Sequence, residues 1–151
     1  MPSRRQAILE AWIALLQTIR TANDFETDVG AQLFLGDKSD LGPNDPSQAL
    51  ALDIGDEDSR WQGPGKALFC TMLLHNRALA SGDLEQPFAM SETIVADIKK
   101  CIEGTDPQLG GLLMAPMERG PVVMLPREEG STTVGASVIY RVQWKEKWGA
   151  P

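Results

Sequence analysis

Apolar and polar side chains alternate near the C-terminus. Every second position from Ala136 to Trp144 is apolar or aromatic, and polar residues such as Arg141 and Lys145 occupy most of the positions between. A period of two residues is typical of a strand that buries one face. The alternation therefore predicts a strand over residues 135–148.

A second long apolar stretch covers residues 66–79 and is long enough for a strand or a helix. We favour a strand, because a terminal strand leaves its backbone groups unpaired unless the same chain supplies a neighbour. The Gly-Pro-Gly sequence at 63–65 also suits a tight turn before a strand. Residues 66–79 are therefore the predicted neighbour of the C-terminal strand.

Two other segments repeat apolar residues at helical spacing. Ser3 and Gln6 have the spacing of a capping box, which predicts a first helix over residues 3–22. Ser91 is placed to cap a second helix, and Gly104 to end it. The repeating positions are Ile8, Trp12, Leu15, Leu16 and Ile19 in the first helix, and Ile94, Ile98, Cys101 and Ile102 in the second.

Shorter patterns predict the remainder of a sheet. Alternation favours a strand over residues 27–35, ending at Gly36, and a returning strand over 49–54, so that residues 28–54 form a hairpin with a long loop. Gly, Pro, Asn and Asp dominate the segments between the predicted elements. We predict exposed loops at 37–47 and 56–65, a break at 81–87, a short strand at 121–125 and a turn at 127–133.

The order of these elements is helix, hairpin, strand, helix and strands. It predicts an α+β fold, a two-layer sandwich in which both helices pack on one face of a mainly antiparallel sheet. A length of 151 residues suits one domain, 1–151, and 42% apolar residues is typical of a soluble globular protein. No apolar run approaches the roughly 20 residues of a membrane span, and no signal peptide is evident, so we expect a cytoplasmic location and no membrane.

Charge is distributed unevenly along the chain. The net charge is −7, which argues against binding nucleic acid through a basic surface but fits an acidic wall that DNA slides past. Ten of the 21 carboxylates lie between Asp24 and Asp58, where Lys38 is the one cation. Basic residues concentrate near the C-terminus. This separation fits head-to-tail association of subunits, and it fits an ordinary charged surface equally well.

Catalytic motifs are incomplete in this sequence. His75 is the single histidine and lies in an apolar run, so a structural or surface role is favoured over a general base. The segment 63–66 ends like a phosphate-binding loop but lacks its first glycine and its hydroxyl ligand. Residues 130–132 do not match the nucleophile elbow G-x-S-x-G. We therefore expect no catalytic residues and no cofactor.

Metal and thiol chemistry are weaker alternatives. The loop at 37–45 lacks the ligand spacing of a calcium-binding hand. A small cytoplasmic enzyme that holds a divalent metal on Asp53, Asp56 and Asp58 remains an alternative from a different functional class. Cys70 and Cys101 lie in apolar surroundings and are interpreted as reduced, buried thiols.

The four tryptophans divide into two groups. Trp12 and Trp144 fall on predicted buried faces, whereas Trp61 and Trp148 lie among turn-forming residues and are candidates for a partner surface. Together with the separated charges, they give a set of predicted subunit or tail contacts. These residues are Asp37, Asp40, Asp45, Trp61, Arg141, Lys145, Lys147 and Trp148.

Five features spread over nearly the whole chain occur together in one known family. The first is the amphipathic first helix. The others are the segments Asp28-Val29-Gly30-Ala31-Gln32-Leu33-Phe34, Ala49-Leu50-Ala51-Leu52-Asp53-Ile54, Gly135-Ala136-Ser137-Val138-Ile139-Tyr140-Arg141-Val142 and Trp148-Gly149-Ala150-Pro151. In these features the chain resembles the tail terminator, or tail completion, proteins of long-tailed bacteriophages, the lambda minor tail protein U type.

The resemblance implies a function that depends on interfaces. It implies an α+β subunit of a homo-hexameric ring on the finished tail tube, where the ring stops tube polymerisation and joins the neck. The implied partners are further copies of the chain, the tail tube protein and a neck or connector protein, with DNA passing through the lumen without specific binding. The implied location is the tail-neck junction of the virion, and the implied activity is not enzymatic. Another neck protein, a tail tube subunit and a generic binding module remain alternatives.

Overall fold

A computed structural model describes residues 2–81, 85–125 and 131–151. Seven principal elements occur in chain order: α1 Arg4–Leu16, β1 Leu33–Leu35, β2 Gln48–Trp61, β3 Ala67–Ala80, α2 Pro87–Glu103, β4 Glu118–Leu125 and β5 Val134–Lys147. The strands form one sheet in the order β1-β2-β3-β5-β4, and the helices pack on one face of it. The predicted α+β class is confirmed.

The strands β3 and β5 form the centre of the sheet. They pair antiparallel along their whole length, from Ala67 opposite Lys147 to Ala80 opposite Val134. The alternating residues of β5 that were predicted to face the core are all buried. Both the strand predicted at 66–79 and its pairing with the C-terminal strand are therefore confirmed.

A buried polar network joins α1 to this central pair. The Trp12 indole N–H donates to Asn76 Oδ1 at 2.7 Å. The Asn76 amide in turn donates to the carbonyls of Leu74 and Val138, each at 3.0 Å. The Trp12 ring packs against the Tyr140 ring in an edge-on arrangement, with the ring centroids 5.7 Å apart. The buried amide is thereby paired through both its oxygen and its nitrogen, which avoids the cost of an unsatisfied polar group.

Helix α1 is shorter than the predicted 3–22. Its start is as expected, because Ser3 Oγ accepts from the Gln6 N–H at 3.1 Å. The helix ends at Leu16, where the Thr18 hydroxyl donates back to the Leu15 carbonyl at 2.6 Å. Such side-chain bonds compete with helical pairing. Ile19 is still buried, because a tight turn brings it to the core without another helical turn.

The predicted strand over 27–35 and the hairpin over 28–54 are wrong. A 3-10 helix occupies Val29–Ala31, and only Leu33–Leu35 is extended. This short strand, β1, pairs parallel with β2. The long connection at 36–47 passes over the sheet, so the chain enters β2 in the same direction as it left β1. Apolar alternation could not reveal this, because a parallel and an antiparallel pair bury the same face.

Gly30 is tightly packed against the end of α1. Its N–H donates to the Ile19 carbonyl at 2.9 Å, and an added Cβ would lie 2.5 Å from the Leu16 carbonyl oxygen. We expect Gly30→Ala to lower the free energy of unfolding by about 1–3 kcal/mol, measured by chemical denaturation. Gly42→Ala is the control, because its Cβ would meet nothing closer than 3.5 Å. Equal losses in the two variants would contradict this account.

The loop predicted over 56–65 is correct for residues 62–65 and wrong for 56–61, because β2 continues to Trp61. An irregularity between Ile54 and Glu57 interrupts the register, and pairing with β3 then resumes. The charged residues of this half are compatible with a strand because they remain exposed. Its outer side has no neighbour among the described strands, since β1 pairs with Leu50–Leu52 alone.

Helix α2 begins earlier than predicted. Pro87 lies in its first turn, where its fixed backbone angle suits a helix start, and the Ser91 hydroxyl donates to the Pro87 carbonyl at 3.3 Å. Ser91 is therefore inside the helix and is not its cap. Gly104 does end the helix, as predicted. The strand predicted at 121–125 is present and begins at Glu118. Residues 82–84 of the predicted break at 81–87 and residues 127–130 of the predicted turn at 127–133 lie outside the described part.

Candidate interaction surfaces

Among the described residues, one end of the sheet face opposite the helices is covered by a connecting segment. There the connection at 36–47 folds over the sheet and buries Leu41 against Ala49 and Leu79. Farther along the same face, the Leu73 side chain is 41% exposed. The molecule therefore presents a partly apolar sheet face to solvent.

Two of the predicted acidic contact residues are engaged within the subunit. Asp37 forms an ion pair with Arg77 of β3. Asp45 pairs with Lys38 at 3.1 Å and accepts from the Gly42 N–H at 2.7 Å. The Gly42 N–H, followed by Lys38, holds the pKa of the Asp45 carboxyl below its ordinary value. These carboxylates fasten the connection to the sheet and to itself.

Asp40, the third predicted acid, is held by the segment that enters β5. The Thr133 hydroxyl donates to Asp40 Oδ1 at 2.5 Å, and the Ser131 hydroxyl approaches the same oxygen at 3.4 Å. The Leu41 N–H also donates to it at 3.0 Å. The Thr133 hydrogen bond is the largest cause that lowers the pKa of Asp40, and burial opposes it. Asp40 therefore anchors the connection at its middle.

A titration can test whether Thr133 holds the Asp40 carboxylate. Because the folded pKa of Asp40 lies below its ordinary value of 3.8, its contribution to stability is present above that pH and is lost as pH falls through the folded pKa. Thr133→Val removes the main donor, so the Asp40 pKa should rise toward the ordinary value in a carboxyl NMR titration. Thr132→Val, at an exposed neighbouring position, is the control. An unchanged Asp40 pKa in Thr133→Val would contradict the assignment.

Trp61 and Trp148 form an exposed aromatic pair. Their ring centroids are 4.9 Å apart with an interplanar angle of 31°, and the two residues are 55% and 58% exposed. The Trp148 N–H donates to the Lys66 carbonyl at 2.5 Å, which places the pair where β2 ends and β3 begins. Exposed tryptophans are common anchors of protein interfaces. The structure thus brings together the two tryptophans that the sequence suggested for a partner surface.

Four cations lie beside this pair and line a groove of about 460 Å³, which we call the basic groove. Lys145 also lies with its Nζ 5.9 Å from the centroid of the Phe69 ring. Glu146, the one carboxylate of the groove, accepts from the Trp144 indole at 2.8 Å. Within the described residues, none of the four cations forms an ion pair. They are Arg4, Lys66, Lys145 and Lys147.

The basic residues of β5 that were predicted as contacts therefore fall into two groups. Lys145 and Lys147 belong to the groove, whereas Arg141 forms an ion pair with Glu118 of β4 at 3.1 Å. Sequence reasoning missed Arg4 and Lys66. The pairing of residues 66–79 with the C-terminal strand was a usable signal for Lys66, because it places that residue beside the end of β5.

Three aspartates of β2 follow the residues that pair with β1; Asp56 and Asp58 are exposed, and Asp53 is half-buried. Asp53, Asp56 and Asp58, which we call the acidic edge, lie where β2 has no outer neighbour in the described sheet. Glu57, among them, pairs with Arg5 of α1 at 3.4 Å. No ion pair joins the three aspartates to any other residue that the structure describes.

No protein-family model matches the sequence, and no curated protein matches it. Across residues 2–81, 85–125 and 131–151, no helix is long and apolar enough to cross a membrane. The exposed surfaces and the sequence resemblance therefore carry the functional proposal.

The metalloenzyme alternative requires that Asp53, Asp56 and Asp58 converge around one ion. In the part of the chain that the structure describes, the one group of three close ligand atoms belongs to Glu57, Cys70 and Glu146. Cys70 is a buried free thiol, and burial is the main cause that raises its pKa. A neutral thiol is a poor nucleophile and metal ligand. The convergence of Asp53, Asp56 and Asp58 that the metalloenzyme alternative requires is absent from these described residues.

Proposed function

We propose that this chain is a bacteriophage virion structural protein of the tail-terminator type. Copies of it form a ring that caps the tail tube, ends tail polymerisation and provides the surface for head-tail joining. The observation that carries the proposal is the exposed pair of Trp61 and Trp148 beside the basic groove. The sequence resemblance specifies the kind of assembly.

The distribution of charge supports association between copies. The chain carries a net charge of −7, yet four cations that form no ion pair with any described residue gather at one end of the sheet. Opposite charges at different places on one subunit favour heterologous contacts, in which different surfaces of neighbouring copies meet. Such contacts close into a ring when the rotation between successive copies sums to a full turn.

The proposed ring is homo-hexameric and has three further partners. The tail tube protein binds one side and a neck or connector protein the other, while DNA passes through the lumen without specific binding. An overall negative charge disfavours tight phosphate contacts. The ring forms in the host cytoplasm and acts at the tail-neck junction of the virion. Its role requires neither catalysis nor a cofactor. Another neck protein or a tail tube subunit would use similar surfaces and is the nearest alternative.

Tail assembly in vitro tests the proposal. Adding the purified chain to polymerising tail tube protein should shorten the tubes and place extra density at one end in electron micrographs. Trp148→Ala should weaken this effect, whereas Phe88→Ala, at an exposed position on α2, should not. Tubes of unchanged length without bound protein would contradict the proposal. Tubes built from the chain itself would favour the tail tube alternative.

A further inference from the structure

We infer that the basic groove of one copy binds the acidic edge of a second copy. The inference rests on the proposed ring and assigns the two surfaces that meet in it. The sequence suggested that acids of the 36–47 connection contact a neighbouring copy. We assign this contact to acids of β2 instead. The groove supplies Arg4, Lys66, Lys145 and Lys147, and the edge supplies Asp53, Asp56 and Asp58.

The groove favours an anionic partner, because four cations face one carboxylate among the described residues that line it. Most cations elsewhere in the described chain have a nearby carboxylate or backbone oxygen, and five of them form ion pairs: Arg5, Lys38, Arg77, Arg119 and Arg141. Among the described residues, the four groove cations form no ion pair, and Glu146, the carboxylate of the groove, is hydrogen-bonded to the Trp144 indole. Ammonium and guanidinium groups gathered in one concavity repel each other until anions approach them.

The acidic edge is the complementary surface on the same chain. The acids of the connection are already engaged, Asp37 by Arg77, Asp45 by Lys38 and Asp40 by Thr133. The three aspartates of the edge, by contrast, have no ion-pair partner among the described residues. Because no described strand pairs with the outer side of β2 beyond Leu52, the edge offers N–H and C=O groups without a partner in the described sheet, together with three carboxylates.

The two surfaces lie at different places on the subunit, so the contact is heterologous. The acidic edge follows one side of the sheet, whereas the groove lies at the end of the sheet beside the N-terminus of α1. Trp61 ends β2 and contacts Trp148 next to the groove. The contact would therefore combine an aromatic anchor with a charged rim, the usual composition of a protein interface.

Charge reversal tests this pairing in the full chain. We expect Lys145→Glu with Lys147→Glu, and separately Asp56→Lys with Asp58→Lys, to weaken self-association at least about tenfold in low salt, as measured by sedimentation equilibrium. Combining all four changes should restore much of the association, because the charges are again complementary. Arg20→Glu and Glu92→Lys, at exposed positions elsewhere, are the matched controls. Circular dichroism establishes that each variant is folded.

The outcomes separate this inference from the proposed function. A wild-type chain that associates normally while both double reversals leave its association unchanged would overturn the pairing and leave the ring proposal standing. A wild-type chain that is monomeric at every concentration would overturn both. Binding of a labelled single-stranded oligonucleotide that is lost with the lysine reversals, while self-association persists, would assign the groove to nucleic acid and overturn the pairing. Restored self-association in the variant that combines all four changes would support the pairing.

Discussion

Replacing Trp12 with alanine is expected to lower the free energy of unfolding by about 3–5 kcal/mol. The indole is fully buried between α1 and the sheet, where its ring packs against Tyr140. Its removal leaves a large cavity and deprives Asn76 Oδ1 of the indole N–H that donates to it at 2.7 Å. A buried acceptor without a donor adds to the cost of the cavity. Chemical denaturation followed by circular dichroism measures the loss.

Trp148→Ala is the matched control, because it removes the same side chain from an exposed position. Its effect on the free energy of unfolding should stay within about 0.5 kcal/mol, as is usual for surface substitutions. Similar losses in Trp12→Ala and Trp148→Ala would contradict the assignment of one tryptophan to the core and the other to a partner surface.

Asp97→Ala should have the second large effect, about 3 kcal/mol or more of lost stability. Asp97 lies on α2 and is 2% exposed. Its carboxylate accepts from the Glu26 N–H at 3.1 Å, the Thr27 N–H at 2.8 Å and the Thr27 hydroxyl at 2.6 Å. Alanine would leave these donors without their acceptor beneath the chain that leads from α1 to β1.

Two further variants make this prediction specific. Asp97→Asn keeps one acceptor oxygen, so it should lose less stability than Asp97→Ala. Glu92→Ala, at an exposed position on the same helix, should change stability by less than about 0.5 kcal/mol. Chemical denaturation provides the comparison. Equal stability of Asp97→Ala and Glu92→Ala would show that the carboxylate does not hold the segment at 26–27.

The central strands could be predicted because alternation identifies one of them and that strand requires a neighbour. Alternation over residues 135–148 fixes which side chains of β5 face the helices, and the apolar run at 66–79 is the longest segment able to pair with it. The helical spacing of Ile94 and Ile98 likewise identifies α2, although its first turn carries no such pattern. Periodicity thus locates the core faces and leaves the ends of elements uncertain.

The remaining errors come from contacts that depend on distant residues. The direction of β1 depends on how the connection at 36–47 crosses the sheet, and the turn after α1 is held by the Gly30 N–H, which donates to the Ile19 carbonyl. Residues 56–61 are polar and look like a loop, yet pairing with β3 makes them a strand. Local propensity is overridden wherever a neighbouring strand supplies hydrogen bonds.

The candidate site was predictable by residue type and not by arrangement. Exposed Trp61 and Trp148 stood out among turn residues, but their contact depends on the ends of β2 and β5 meeting. The acids of the connection were chosen for their density, which does not show that Arg77 and Thr133 already engage two of them. The sequence therefore does not show which residue each charged side chain contacts.

The most direct test of the ring proposal is the mass of the chain in solution across concentration. Light scattering after size exclusion gives that mass, and electron microscopy of the largest species gives its shape. The account predicts oligomers that appear as rings with a central hole. A strict monomer at every concentration, unchanged when tail tubes are added, would contradict it.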